Sequence, residues 1–368
     1  MSDPAFGDWA GLPSLIGAGE APEAARARWI AGLAEGLYGA VPEGPEAIAV
    51  RSEPCGAGQR LIIDLTRAGR TMQVDAWLSL PPGAGADVPL IVGLDFLGPL
   101  GLPEAAFPPD PDAIVAVPRR LGGGLGPLKP AHAGGTPHRW PLGAIHGAGF
   151  GLLLSCYGSW VPDDPEHWRG RGLASLQDAD DDCGAISLWA WALMRLIDVA
   201  RGEGLTGPIA LAGHSRLGKA ALWAAANDDR ADAVFANASG CAGAAPAAHQ
   251  VGETLAQLQD RFPHWLRAGA ALPKGIDQHA LLAALAPRPV VITSARADLW
   301  ADPVGTYRAL VAAAEATGTG GWPDAAEVWA EGGSVVRGPW AYGLREGEHD
   351  LTPEDWSVAL PTLRAAFS

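Results

Sequence analysis

Lysine is nearly absent from this sequence: Lys129, Lys219 and Lys274 are the only three in 368 residues, and the formal net charge is −15. That shortage excludes nucleic acid and anionic membrane surfaces as main partners, because both are bound by clustered lysine and arginine. Cysteine is sparse as well. Cys55, Cys156, Cys183 and Cys241 are widely separated and form no C-x-x-C pair, so zinc and dithiol chemistry have no motif here. Cys156 and Cys241 lie in apolar, strand-like contexts and read as buried thiols. No apolar run reaches the length of a membrane span. The stretch MSDPAFGDWAGLPSLIG lacks a basic segment followed by an apolar one, so the expectation is a cytoplasmic protein without a leader. The glycines at 122–124 are followed by neither GK[ST] nor a helix start, which removes the phosphate-loop reading. DADDDCG (178–184) lacks the glycine and the closing glutamate of a calcium loop, and reads as the acidic start of the next helix. Neither a metal nor an organic cofactor is expected.

What is present is a large apolar complement. With 48% hydrophobic residues and 15 tryptophans the chain can bury a sizeable core. Most of the tryptophans read as core filling, and some as the flat wall of a sugar-binding cleft. Residues 21–39 have helical apolar spacing and end at a glycine, forming a helical extension within residues 1–40. RLIIDLT and TMQVDAWLSLP read as a hairpin turning at Ala68-Gly69. The Gly- and Pro-rich segment 99–136 reads as surface loop. VPLIVGLDFLG, GFGLLLSCYG, GPIALAGHS, DAVFANASG and PRPVVITSA are continuous apolar runs, as in strands buried on both faces. In the second half they alternate with helical segments. The pattern predicts one α/β domain over 1–368, with a mostly parallel central sheet covered by helices on both faces.

In such a sheet, reactive groups gather beyond the carboxyl ends of the strands. Ser215 follows IALAGH, Asp298 follows VVITSARA, and His349 follows YGLREGE. The order Ser…Asp…His is that of the α/β-hydrolase fold. A serine hydroxyl needs an imidazole to take its proton, and the imidazole needs a carboxylate to hold its tautomer. The N–H groups at the start of the helix from residue 216 would face the developing oxyanion. Singly, the three residues read as a helix cap, a second cap and an ordinary histidine; together they read as a triad. One feature departs from the general G-x-S-x-G elbow. In GHSRLGK (213–219) the second glycine comes a residue late, at Gly218.

GHSRLGKAALWAAA resembles the nucleophile segment of the glucuronoyl esterases, carbohydrate esterase family 15, in which the glycine stands in this later place. The resemblance extends through GLDFLG, YGSWVPDD, GAISLWAWALMRLIDVA, SGCAGAA, GETLAQLQDRFPHWL, IDQHALLAALAPRPVVITSA, DLWADPVG and GEHDLTPEDW, from about residue 27 to the C-terminus. It implies an α/β-hydrolase fold with Ser215 as nucleophile and His349 as base. It further implies that Arg216 stabilises the oxyanion by guanidinium and backbone N–H, and that Lys219, Trp300 and Glu253 contact the sugar. In fungal members the acid follows the strand after the nucleophile helix, where this chain has Ala238 in ANASG. Asp298 is then the candidate, as in some bacterial members. PAAHQ (246–250) also departs from bacterial relatives, which often carry arginines there.

The expectation is a serine esterase acting through an acyl-enzyme on an alcohol ester of a (4-O-methyl-)glucuronic acid carboxyl group. The substrate would be a small molecule or an oligosaccharide. The alternatives are an acetyl or other small-ester carbohydrate esterase, and a non-catalytic carbohydrate-binding relative, the latter motivated by Ala238.

Overall fold

A computed structural model of the chain describes residues 3–17, 19–170, 172–176, 182–249 and 251–368. The sequence reading of 178–184 falls largely outside the described residues. Among the described residues there are twelve strands: β1 (Ala47–Cys55), β2 (Gly58–Arg67), β3 (Arg70–Ser79), β4 (Leu90–Asp95), β5 (Ile114–Ala116), β6 (Leu125–Pro127), β7 (Gly151–Cys156), β8 (Ile209–His214), β9 (Ala233–Asn237), β10 (Val290–Ala295), β11 (Gly333–Arg337) and β12 (Trp340–Arg345). The helices are α1 (Pro22–Leu33), α2 (Leu142–Gly147), α3 (Tyr157–Trp160), α4 (Ala185–Gly202), α5 (Arg216–Asn227), α6 (Leu255–Arg261), α7 (Gln278–Ala283), α8 (Pro303–Ala316), α9 (Ala325–Glu331) and α10 (Pro353–Ala366).

Ten strands form one sheet in the order β1-β2-β3-β7-β4-β8-β9-β10-β12-β11. From β7 to β12 neighbours run parallel, and every residue of β4, β7, β8, β9 and β10 is buried. The apolar runs have this cause: helices cover both faces, so neither set of alternating side chains meets water. The antiparallel strands β1, β2 and β3 extend one edge, and β11 closes the other. The β2–β3 hairpin turns at Ala68 and Gly69, both in the left-handed region (φ 51 and 70), which matches the strand twist.

One face of the sheet packs on α1, α4, α5, α7 and α8, the other on α2 and α10. Eight tryptophans, including Trp189, Trp223 and Trp356, are among the largest fully buried side chains and fill these two layers. Burial pushes the thiols of Cys156 and Cys241 up to about 12, so both are inert core residues. Among the described residues, no helix is long and apolar enough to cross a membrane.

The segment 99–136 is more than surface loop. It contains the small β5–β6 sheet, and its residues 116–120 form part of the wall of the cleft described next.

Candidate active site

β8 ends at His214, and the chain turns sharply into α5 at Ser215, whose φ of 59 and ψ of −127 lie outside the ordinary regions for an L-residue. The surroundings hold this conformation. Ser215 N–H donates to the Asn237 carbonyl at the end of β9, and the Ser215 carbonyl accepts from Gly218 and Lys219. The turn needs glycine at 213, where a Cβ would sit 2.2 Å from the Leu217 carbonyl oxygen. Position 217 tolerates a buried leucine. Gly218 lies where a Cβ would come 3.1 Å from both the Gly213 carbonyl oxygen and the Ser239 Cβ. The late glycine thus marks close packing of α5 on the β8–β9 ends.

Ser215, His349 and Asp298 come together. His349 Nε2 lies 2.9 Å from Ser215 Oγ, and its Nδ1 lies 2.6 Å from Asp298 Oδ2. Asp298 is 5% exposed, whereas the imidazole opens to a cleft of about 720 Å³. Beneath it lies a second imidazole. His214 has its ring centroid 4.7 Å from that of His349, and its Nδ1 is 2.6 Å from Asn237 Oδ1. Burial, then the neighbouring His349 and Arg139, push His214 well below its usual range, so it stays neutral beside His349.

Arg216 lines the same cleft. Its guanidinium ion-pairs with Asp163 and stacks over Trp265 at 4.3 Å, with Phe96 and Phe262 at 5.3 and 5.2 Å. Its Nε is buried and has no hydrogen-bond partner among the described residues. Arg216 thus carries an unpaired N–H at the first turn of α5, on a side chain that lines the same cleft as Ser215.

Lys219 and Glu253 sit deeper than the resemblance implied. They are 2% and 7% exposed and pair with each other at 3.2 Å, while Lys219 Nζ also donates to the Cys241 carbonyl. Trp300 is the exposed member of this group. Its Nε1 donates to Glu253 at 3.2 Å, its ring carries Arg261 at 4.8 Å, and it lines the cleft. Residues 246–249 are held by other partners: Asp277 accepts from the N–H groups of Ala247 and Ala248, and His249 pairs with Asp302 at 2.6 Å.

Asp163 went unassigned in the sequence although YGSWVPDD contains it. It is fully buried and accepts from Tyr157, His264, Trp265 and Arg216. Burial alone would raise its pKa, but the charge of Arg216 and the bond from His264 hold it well below the usual carboxylate range. Arg139 and Asp350 were missed too; their bond, Arg139 Nε to Asp350 Oδ1 at 2.7 Å, braces the residue that follows the base. No group of three or more His, Cys, Asp or Glu side chains among the described residues could hold a metal ion.

A family model for fungal glucuronyl esterases matches residues 165–318. A carbohydrate esterase from an unknown prokaryotic organism is 30% identical over 349 residues, covering 88% of this chain and 79% of that protein. The chain belongs to the glucuronoyl esterase family, carbohydrate esterase family 15. It is a carboxylic ester hydrolase with the α/β-hydrolase fold. The solved glucuronoyl esterase from Solibacter usitatus superposes with a TM-score of 0.82 at 27% identity, over 100% of both chains. A 4-O-methyl-glucuronoyl methylesterase of Cerrena unicolor is 26% identical over 213 residues, 50% of this chain and 44% of that one. Ala238, which follows β9, lies in the left-handed region with a φ of 46.

Proposed function

We propose that this glucuronoyl esterase hydrolyses the ester between an alcohol and the carboxyl group of a glucuronic acid or its 4-O-methyl ether. Ser215 Oγ attacks the ester carbonyl as His349 Nε2 takes its proton, and Asp298 holds the Nδ1–H edge of the imidazole. The oxyanion is stabilised by the Arg216 backbone N–H and its unpartnered Nε–H. Collapse of the tetrahedral intermediate expels the alcohol, which receives its proton from His349. Water then attacks the acyl-enzyme with His349 as base, releasing the uronic acid. Trp300 is the face on which the sugar packs, with the Glu253–Lys219 pair behind it supplying polar groups for the hydroxyls.

The observation that carries this reading is the Ser215–His349–Asp298 chain of contacts at 2.9 and 2.6 Å, beside Arg216, in a member of this family. The relative named a 4-O-methyl-glucuronoyl methylesterase supports the substrate class. The test is hydrolysis of benzyl glucuronate beside an acetyl ester, with wild type and Ser215→Ala in parallel. Turnover of the uronate ester, abolished in the variant, is expected. Turnover of the acetyl ester alone moves the substrate class, and silence on both removes the catalytic reading.

A further inference from the structure

The two walls of the cleft differ in charge. Trp300 stands on the β10 side, with Glu253 and Lys219 behind it. On the β4 side are Phe96, the 116–120 segment and Arg139. There three guanidiniums, Arg119, Arg120 and Arg139, meet a single carboxylate, Asp350, whose two oxygens are already taken by Arg139 at 2.7 Å and His138 at 2.9 Å. Arg120 is engaged with the Gly135 carbonyl and His138, and lies 3.9 Å from Asp350. Arg139 is different. Its Nε is anchored to Asp350 and its plane lies 5.2 Å over Phe96, yet its Nη1 is buried with no partner among the described residues. Arg119, on the rim, is exposed, and its guanidinium has no hydrogen bond or ion pair among the described residues. In a chain of net charge −15, this cationic wall is not a by-product of composition.

A guanidinium fixed through Nε presents its remaining N–H donors as a pre-oriented edge, the geometry that matches a carboxylate. Ser215 stands at the end of β8, between β4 and β9, so an ester carbonyl seated on it has one substituent directed to each wall. If the uronate packs on Trp300, the alcohol part meets the arginines. Glu348, beside His349, is an opposing charge in the cleft, along with Asp298 and the already paired Asp350.

We propose that Arg119 and Arg139 form a subsite for a carboxylate carried by the alcohol part of the ester, so that esters with an anionic leaving group are preferred. This rests on the uronate-esterase reading above, and the test separates the two. The full chain is assayed on benzyl glucuronate and on its 4-carboxybenzyl counterpart, in low and in high salt. For a chain this acidic, the plain expectation is a penalty on the anionic ester. The subsite instead predicts a kcat/KM about ten-fold higher for the carboxylated ester at low salt, the preference shrinking as salt screens it. In Arg119→Gln the ratio falls toward one, and in Arg119→Glu it inverts. Turnover of the benzyl ester with no preference for the carboxylated one overturns the subsite and leaves the esterase reading standing. A preference that survives Arg119→Glu also overturns it. Turnover of neither ester overturns both.

Discussion

The guanidinium of Arg216 is ion-paired to the fully buried carboxylate of Asp163 and capped by the Trp265 ring, so the residue after Ser215 is fixed by a charge 53 positions upstream. Tyr157 ties the same carboxylate to the cleft wall, since its hydroxyl donates to Asp163 and accepts from the Ala116 N–H. A guanidinium held this way does not have to reorganise as the oxyanion forms.

Asp163→Asn leaves that cation buried without its counter-charge. The expected cost is about 3–5 kcal/mol of stability in denaturant unfolding. The pH dependence has a definite sign. The folded carboxyl is held below its unfolded value of about 3.9, so its contribution is fully present above about pH 4 and is lost as pH falls toward the folded value. Wild type should therefore lose stability below pH 4 more steeply than Asp163→Asn; equal slopes would place the carboxyl's folded pKa at its ordinary value.

Asp298→Asn should preserve packing around a buried side chain yet remove the acceptor that fixes the His349 tautomer. The expected loss is about 10⁴-fold in kcat with KM little changed. Undiminished turnover assigns the acid to another residue.

The elbow predicts an order of severity between two glycines. In Gly213→Ala the new methyl meets a backbone oxygen at 2.2 Å, so the turn at Ser215 cannot form as it is. In Gly218→Ala the closest contacts are 3.1 Å. Both variants should lose activity and thermal stability, Gly213→Ala far more, as read by kcat and Tm. The reverse order would mean that the late glycine, not Gly213, sets the turn.

His249 offers a second pH test with the opposite sign. Burial would lower its pKa, but the bond and charge of Asp302 raise it above the usual histidine value. Its contribution is fully present below about pH 6.5, the unfolded value, and is lost as pH rises through the folded one. The stability margin of wild type over His249→Gln should be widest near pH 6 and narrow toward pH 9 in thermal unfolding. A margin that widens with pH would show the ring to be buried neutral.

The central strands were legible because burial on both faces leaves an unbroken apolar run, as in LIVGLD and VVITSA. The edge strands were not. β1 contains Arg51, Glu53 and Pro54 and is largely exposed, and β11, GSVVR, has no buried residue, so neither shows the apolar signal of the interior. Ser215, Asp298 and His349 could be picked out because each follows such an interior run. Asp163 could not, because its meaning lies in Arg216, His264 and Trp265, partners 53, 101 and 102 positions away. The 116–120 wall was read as surface loop for a related reason: Gly and Pro report that the chain turns, and say nothing of what it turns toward. Lys219 and Glu253 were named, but their burial as a pair follows from packing that spacing does not encode.

Asp298 lies beyond β10, while the strand end beside Ser215, after β9, carries Ala238. Adjacent parallel strands end side by side, roughly 5 Å apart, so a carboxylate can be delivered to the outer edge of the His349 imidazole from either without moving Ser215 or His349. Of Ser215, His349 and the carboxylate that His349 contacts, the carboxylate is therefore the one whose position along the chain the fold constrains least. Ala238, in a left-handed turn after β9, marks the second strand end from which such a side chain could start.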